Sequence, residues 1–350
     1  MLPVNRPEDS SRFCRPRKTA VCLILSLVLI WGCLLAGPAR PAEPEPLNPP
    51  VKMRLGLLPI ADTILLEAAV RENYFAEQGL LVELVPFQST LEKDAAVQAG
   101  LLDGHFCEIS SPMVLRSQGY LYKVIASTTH TEPGQRVFGI VTRPGSGARS
   151  LNDLKGQTLG IARQTIVDFL ADIFLDRAGQ PADFFRRQDI RKIPLRLQML
   201  RTGRLEASVF PEPLLSMAES SGGRVLAVDC DLDMPLAAVA LKDGLASDET
   251  VRAFRAALSR AAAWVSSHPE ASRALMLEKG LIGPSLSGWT PPAYNPEHIP
   301  GSLPDRKLFE AYADWLVRNK VLKRPGDPGH LREVPGYEET IFHYSGRVSP

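Results

Sequence analysis

Val97-Gln98-Ala99-Gly100-Leu101-Leu102-Asp103-Gly104-His105-Phe106 and, much further along, Met199-Leu200-Arg201-Thr202-Gly203-Arg204-Leu205-Glu206-Ala207-Ser208-Val209-Phe210 follow one plan. In each, a helical run stops at a glycine (Gly100, Gly203), which takes a left-handed C-terminal cap without the penalty a Cβ carries. An acid follows three residues later (Asp103, Glu206), then a small residue and an apolar strand. Both strands run into proline-marked helix starts, Ser111-Pro112 and Pro211-Glu212-Pro213. Proline's missing N–H costs nothing there, and its fixed φ suits the first turn. An echo of this kind predicts two similar α/β lobes.

Outward from these stretches, short apolar runs alternate with longer amphipathic ones, the pattern of mostly parallel sheets covered by helices. In the first lobe, strands are expected at 55–58, 81–86, 104–107 and 122–126, with helices at 63–76, from Thr90 and from Pro112. Residues 138–142 lead across to the second lobe, and Ser150-Leu151-Asn152-Asp153 reads as a capped turn closed by Gly156. Strands then follow at 158–162, 189–193, 207–210 and 224–228, with helices at 166–178 and 195–201. Residues 236–241 return the chain to the first lobe, ahead of helices at 248–267, from Pro269, and at 305–318. Residues 283–304 and 324–337 read as proline- and glycine-rich connections. The expected division is 51–137 with 230–350 for the first lobe and 138–229 for the second.

The N-terminus reads as an export signal. Arg15, Arg17 and Lys18 precede an apolar run from Ala20 to Trp31, the length of a signal-peptide core and short for a membrane span. It ends Leu29-Ile30-Trp31-Gly32-Cys33, a lipobox-like run that makes residues 1–33 a lipoprotein-type leader with Cys33 as the acylated residue. Trp31 departs from that pattern, and an ordinary signal-peptidase site is the rival reading. The proline-rich stretch 34–50 is then a stiff tether, with folding expected from Val51. The chain is 45% hydrophobic with a formal net charge of +1, enough for two cores and no basis for nucleic-acid binding. Of five cysteines, only Cys107 and Cys230 belong to the mature domain. They are expected as free thiols, although an oxidising compartment would permit a disulfide between them.

Several motifs, in order and at matching intervals, resemble the solute-binding proteins of the sulfonate, nitrate and thiamine-precursor uptake group. They are Tyr74-Phe75-Ala76-Glu77-Gln78-Gly79-Leu80, Ala99-Gly100-Leu101-Leu102-Asp103, Leu151-Asn152-Asp153-Leu154-Lys155-Gly156, Gly203-Arg204-Leu205-Glu206-Ala207 with Glu212-Pro213, and the run from Trp264 to Pro269. The resemblance covers most of residues 52–322. It implies a type II periplasmic-binding fold, two α/β lobes joined by two crossings and closing on a small molecule, with an ABC permease as partner. It does not name the molecule.

In open parallel sheets ligands sit beyond the carboxyl ends of the strands, at the N-termini of helices. That rule selects Asp62 and Thr63 after the first strand and Gln88 and Ser89 after the second. It selects Ser110 and Ser111 after the third strand, Thr129 after the fourth, and Arg163, Gln164, Thr165 and Glu212 in the second lobe. Hydroxyls there suit a polar ligand, but helix capping is an equally good use for Thr63, Thr90, Ser111 and Thr165. Arg163 favours an oxyanion, whereas Asp62, Glu108 and Glu212 favour an amine or a protonated ring, and the sequence leaves both open. Glu212 also fits a plain role at the positive end of a helix. The expected ligand is accordingly a small polar organic molecule or an oxyanion.

Other chemistry is not expected. The six histidines show no ligand spacing along the chain, so no metal is expected, and neither a cofactor nor a nucleophile motif is present. Arg186-Arg187-Gln188-Asp189 and Arg191-Lys192 read as a solvated charged face. The sequence therefore points to a monomeric, non-enzymatic receptor, exported and lipid-anchored at a membrane surface. A ligand-reporting sensor partner is the alternative, followed by an enzyme of the thiamine-pyrimidine or menaquinone type on the same fold.

Overall fold

The computed structural model describes residues 45–345. The expected leader, its Cys33 and the tether as far as residue 44 lie outside them. Two five-stranded sheets form the frame. The first contains β1 (Val51–Leu57), β2 (Leu80–Pro86), β3 (Gly104–Cys107), β4 (Tyr122–His130) and β10 (Pro235–Lys242). The second contains β5 (Phe138–Thr142), β6 (Thr158–Ile161), β7 (Arg186–Asp189), β8 (Ala207–Pro211) and β9 (Val225–Val228). Their orders are β2-β1-β3-β10-β4 and β7-β6-β8-β5-β9. In each sheet four strands run the same way, and a strand arriving from the other lobe, β10 or β5, is inserted antiparallel between the third and the last of them. This is the mixed, two-lobed α/β architecture expected.

The sequence echo falls on equivalent places. β3 and β8 both hold the third position of their sheets, and Gly100 and Gly203 both stand at φ +74°. The acids that follow do similar work. Asp103 Oδ2 accepts the Arg54 backbone N–H at 3.0 Å, while Glu206 accepts from Arg143 Nε at 2.7 Å and Ser146 Oγ at 2.6 Å. Gly104 is glycine for room: a Cβ there would lie 2.4 Å from Leu241 Cδ2 and 2.7 Å from the Ala240 carbonyl oxygen.

In the first lobe the helix Ile64–Arg71 buries Ile64, Leu65 and Leu66 against the long helix Asp248–Ser267, which supplies Val251, Phe254 and Leu258. The expected 63–76 helix breaks because Asn73 takes a left-handed conformation (φ 61°) and starts a separate turn at Tyr74–Glu77. A second core crosses between lobes. Ile109, Met113 and Val124 share it with Phe138, Leu159 and Phe169, and with Phe309, Tyr312 and Trp315 of the C-terminal helix Arg306–Arg318. Tyr312 stacks on Phe169 at 4.1 Å, and Trp315 Nε1 donates to Asp172 Oδ2 at 2.8 Å, so this helix packs on the second lobe as well as the first.

Two crossings lie side by side. Thr131 N–H donates to Met234 O at 3.0 Å, Met234 N–H to Thr131 Oγ1 at 2.8 Å, and Val137 N–H to Asp229 Oδ1 at 2.9 Å. Residues 283–304 are more than a connection: they fold back over the first crossing. The Gln135 amide bonds both the carbonyl (3.3 Å) and the N–H (3.1 Å) of Ala293, and Ser127 N–H donates to Pro300 O at 2.9 Å. At the far side of the lobes from the crossings, Lys192 Nζ sits 3.6 Å from Glu92 Oε1, joining one lobe to the other.

Two expectations need correction. The strand placed at 189–193 is β7, Arg186–Asp189, and the helix after it begins at Ile193. This edge strand carries no apolar alternation, because Arg187 turns inward and pairs with Asp168 (2.7 Å) and Asp172, so this arginine is no solvated charge. β4 also runs on to His130, which places Ser127 to His130 inside the strand.

Candidate functional site

Between the lobes, beside the crossings, lies a cavity of about 360 Å³. Asp62 and Thr129 come to it from the first lobe, Arg136 from the crossing, Glu212 from the end of β8, and Trp289 and Tyr294 from the folded-back segment. A tighter compartment of about 50 Å³ adjoins it, shares Asp62, and is walled by Glu108, Thr165, Ile193, Arg196 and Pro211. The strand ends do what the topology rule demands: they deliver polar side chains to the space where the lobes meet.

Asp62 is the most constrained of them. It is 2% exposed, its Oδ2 has no hydrogen-bond partner, and no cationic side chain stands against it among the described residues. Burial pushes its carboxyl up to about 7; Asp229 and Glu212 push the same way, and only the nearby Thr129 hydroxyl opposes them. Thr129 Oγ1 is itself buried with no partner in full hydrogen-bonding geometry. Glu108, 4% exposed with an unpartnered Oε1, is likewise raised by burial to about 7 against the pull of Lys93. Burial lifts Asp229 to about 6, although the backbone N–H groups of Val137 and Phe138 resist. Burial and the charge of Asp62 hold the Tyr294 phenol well above its ordinary range.

The other charges are committed. Glu212 accepts from Arg136 Nε at 2.6 Å and from the Ser216 backbone N–H at 3.1 Å, which caps the helix below it, while Arg136 also holds Glu219. Arg196 is fully buried on the second-lobe wall of the small compartment. Its Nη1 donates to Ile190 O at 2.8 Å and its guanidinium lies 5.1 Å from the Phe210 ring. Burial lowers it to about 10, so it keeps its charge. Lys93, wholly buried, pairs with Asp94 at 2.5 Å and meets His105 Nδ1 at 2.8 Å, bracing the floor of the first lobe.

Of the sequence candidates, Asp62, Thr129 and Glu212 meet at the larger cavity and Thr165 joins Asp62 at the smaller. The rest lie apart. Ser89 caps its helix by accepting the Glu92 N–H at 3.2 Å, and Gln88 is exposed. Ser111 Oγ donates to Asp94 at 3.0 Å and Thr63 Oγ1 to Ile60 O at 2.8 Å, while Thr165, at the smaller compartment, spends its Oγ1 on Ala162 O at 2.9 Å. Ser110 is buried with its hydroxyl unpartnered. Arg163 and Gln164 point to solvent and line neither cavity, so the oxyanion determinant proposed from sequence is displaced from the site. Trp289, Tyr294 and Arg136 were not foreseen, because a Trp-Thr-Pro-Pro run in a proline-rich segment carries no periodicity that would place it in a cleft.

A further grouping was hidden by distance along the chain. His130, Glu132 and His298 each offer one ligand-type atom within 4.8 Å of the others. Glu132 Oε1 lies 2.5 Å from His298 Nδ1, and the two imidazoles stack at 4.0 Å. Cys107 and Cys230 are both free, and burial raises the Cys107 thiol. No helix among the described residues is long and apolar enough to cross a membrane.

This chain belongs to the NMT1/THI5-like family, whose model matches residues 61–272. Its fold is that of periplasmic solute-binding proteins. The alkanesulfonate-binding protein SsuA from Xanthomonas axonopodis pv. citri, bound to MOPS, superposes with a TM-score of 0.65 at 16% identity, over 79% of this chain and 96% of that one. The aliphatic sulphonate-binding protein SsuA of Escherichia coli gives 0.62 at 18%, over 83% and 98%. The nitrate-binding protein NrtA of Synechocystis PCC 6803 gives 0.55 at 14%, over 77% and 81%. No curated protein sequence matches the chain.

Proposed function

We propose that this protein is the extracytoplasmic receptor of an ABC importer, taking a small polar solute into the cavity between its lobes and presenting it to a permease. The observation that carries the proposal is the cavity itself. It lies against the first crossing, is built from both lobes, and contains buried polar groups that no protein atom satisfies. Solute that bridges the lobes only when they are closed shifts the open–closed population, and the permease reads the closed form. On this reading the protein binds and releases its solute without a covalent step.

The family membership and the solute-binding neighbours support this reading. A thermal-shift screen tests it: a solute at a hundred times its Kd adds about 2.7 kcal/mol of stability. A concentration-dependent rise in Tm, lost on Glu212→Ala, is the expected result, and a hit unaffected by changes at the cavity refutes the site. We further propose that Cys33 anchors a monomeric receptor to the membrane through lipid. Cys33→Ser then abolishes lipid labelling.

A further inference from the structure

We infer that the solute carries a positive charge at the end that enters the larger cavity, an amidinium or ammonium group seated on Asp62, with Thr129 beside it and the rings of Trp289 and Tyr294 as walls. This rests on the receptor reading above and deepens it.

The charge census of the cavity decides the sign. Three carboxylates face it: Asp62, Glu132 and Glu212. Glu212 is neutralised by Arg136, and Glu132 is bonded by His298. Asp62 alone has no counterpart, and the charges acting on it most strongly, Asp229 and Glu212, are both negative. Arg136 is the cavity's single arginine, and it is spent on two glutamates. Burial holds His130 below its ordinary value. A buried carboxylate without a partner is costly, and natural structures keep one where a ligand completes it. An anion entering the same space would meet the unscreened field of Asp62 in a low-dielectric pocket.

The turn Ala61–Thr63 leads Asp62 into the N-terminus of the helix Ile64–Arg71, yet its buried Oδ2 accepts no hydrogen bond from that backbone. Thr129 is a second, independent pointer. It is 5% exposed, lines the same cavity, and its hydroxyl lacks a partner, offering an acceptor next to the carboxylate. Aromatic walls suit the same ligand class, since the faces of tryptophan and tyrosine attract delocalised cations. The opposing feature is Arg196, which faces the smaller compartment; it could receive a negative group on the far end of a zwitterion but lies outside the larger cavity's lining.

Four near-isosteric probes isolate charge from shape: benzamidinium, neutral benzamide, benzoate and benzenesulfonate, titrated calorimetrically into the full protein and into Asp62→Asn. Benzamidinium is expected to bind at least about 30-fold more tightly than benzamide, and that preference should disappear in Asp62→Asn. Its affinity should also fall toward tenfold per unit as pH drops below the Asp62 pKa. Benzoate or benzenesulfonate binding better than benzamidinium overturns the cation assignment while leaving the receptor reading intact. Benzamidinium binding that survives Asp62→Asn overturns the seat of the charge. Silence from all four refutes the cation seat, while the receptor reading stands or falls with the thermal-shift screen.

Discussion

Replacing Asp62 by asparagine should make the unliganded protein more stable. The carboxyl titrates near 3.8 in an unfolded chain and near 7 in the fold. At about 1.36 kcal/mol per unit, the shift corresponds to an upper bound of about 4 kcal/mol of strain when the group is charged in both states. Asparagine has the same shape and no charge, but its amide needs partners of its own, so about 2 kcal/mol is the realistic gain. For a folded domain of this size that is about 3 °C in Tm. The sign with pH is distinctive. Between 3.8 and 7 the native state holds a proton the unfolded state has lost, so wild-type stability falls as pH rises through this window and levels off above it. Glu108 adds to the same slope. Melts of wild type and Asp62→Asn, without ligand, should therefore favour the variant most at pH 8, cross near about pH 5.5 and favour wild type below it. A variant less stable than wild type at pH 8, or a gap independent of pH, would falsify the claim that Asp62 is held charged against its surroundings.

Arg136→Ala leaves Glu212 buried without its partner and should cost about 3 kcal/mol, read in urea melts; a loss within error would show the pair to be ornamental. Gly104→Ala should cost at least 2 kcal/mol, roughly, because the added methyl meets the Ala240 backbone; chemical denaturation decides. Trp315→Phe removes both the N–H to Asp172 and half of a fully buried indole, for an expected cost of about 3 kcal/mol, and the hydrogen-bond share of that cost should not appear twice in the double variant with Asp172→Asn. Breaking the Lys192–Glu92 pair, 63% and 41% exposed, should shift Tm by less than a degree, since such pairs are worth about 0–1 kcal/mol.

The repeated lobe was legible because its signals are local. A glycine cap, an acid and a strand lie within a dozen or so residues at each copy, and each maps onto the third strand of a sheet. Asp62, Thr129, Thr165 and Glu212 were legible for the same reason, as they stand at or near strand ends. What stayed hidden depends on contacts across the chain. Arg187 looked solvated because its partners, Asp168 and Asp172, sit on a neighbouring helix. Trp289 and Tyr294 reach the cavity only because Gln135 and Ser127 pin their segment to the first crossing and to β4. Arg163 misled because its charge suited a ligand while its backbone N–H, the part that is anchored, bonds Asp189 and leaves the side chain outside.

The core that runs from Met113 and Val124 through Phe169 to Trp315 bears on how fast the receptor we propose can work. Lobes joined only by two strands swing freely, and solute enters at the rate it arrives. Here a helix is embedded in both halves, so wide opening would strip apolar side chains of their neighbours. The excursions that admit solute are therefore narrow or brief, and only a fraction of encounters find the door ajar. Capture should run below the roughly 10⁵–10⁷ per molar per second typical of specific docking, and escape should be slowed by the same barrier. Under the receptor reading proposed above, this build suits a scarce solute that must be kept.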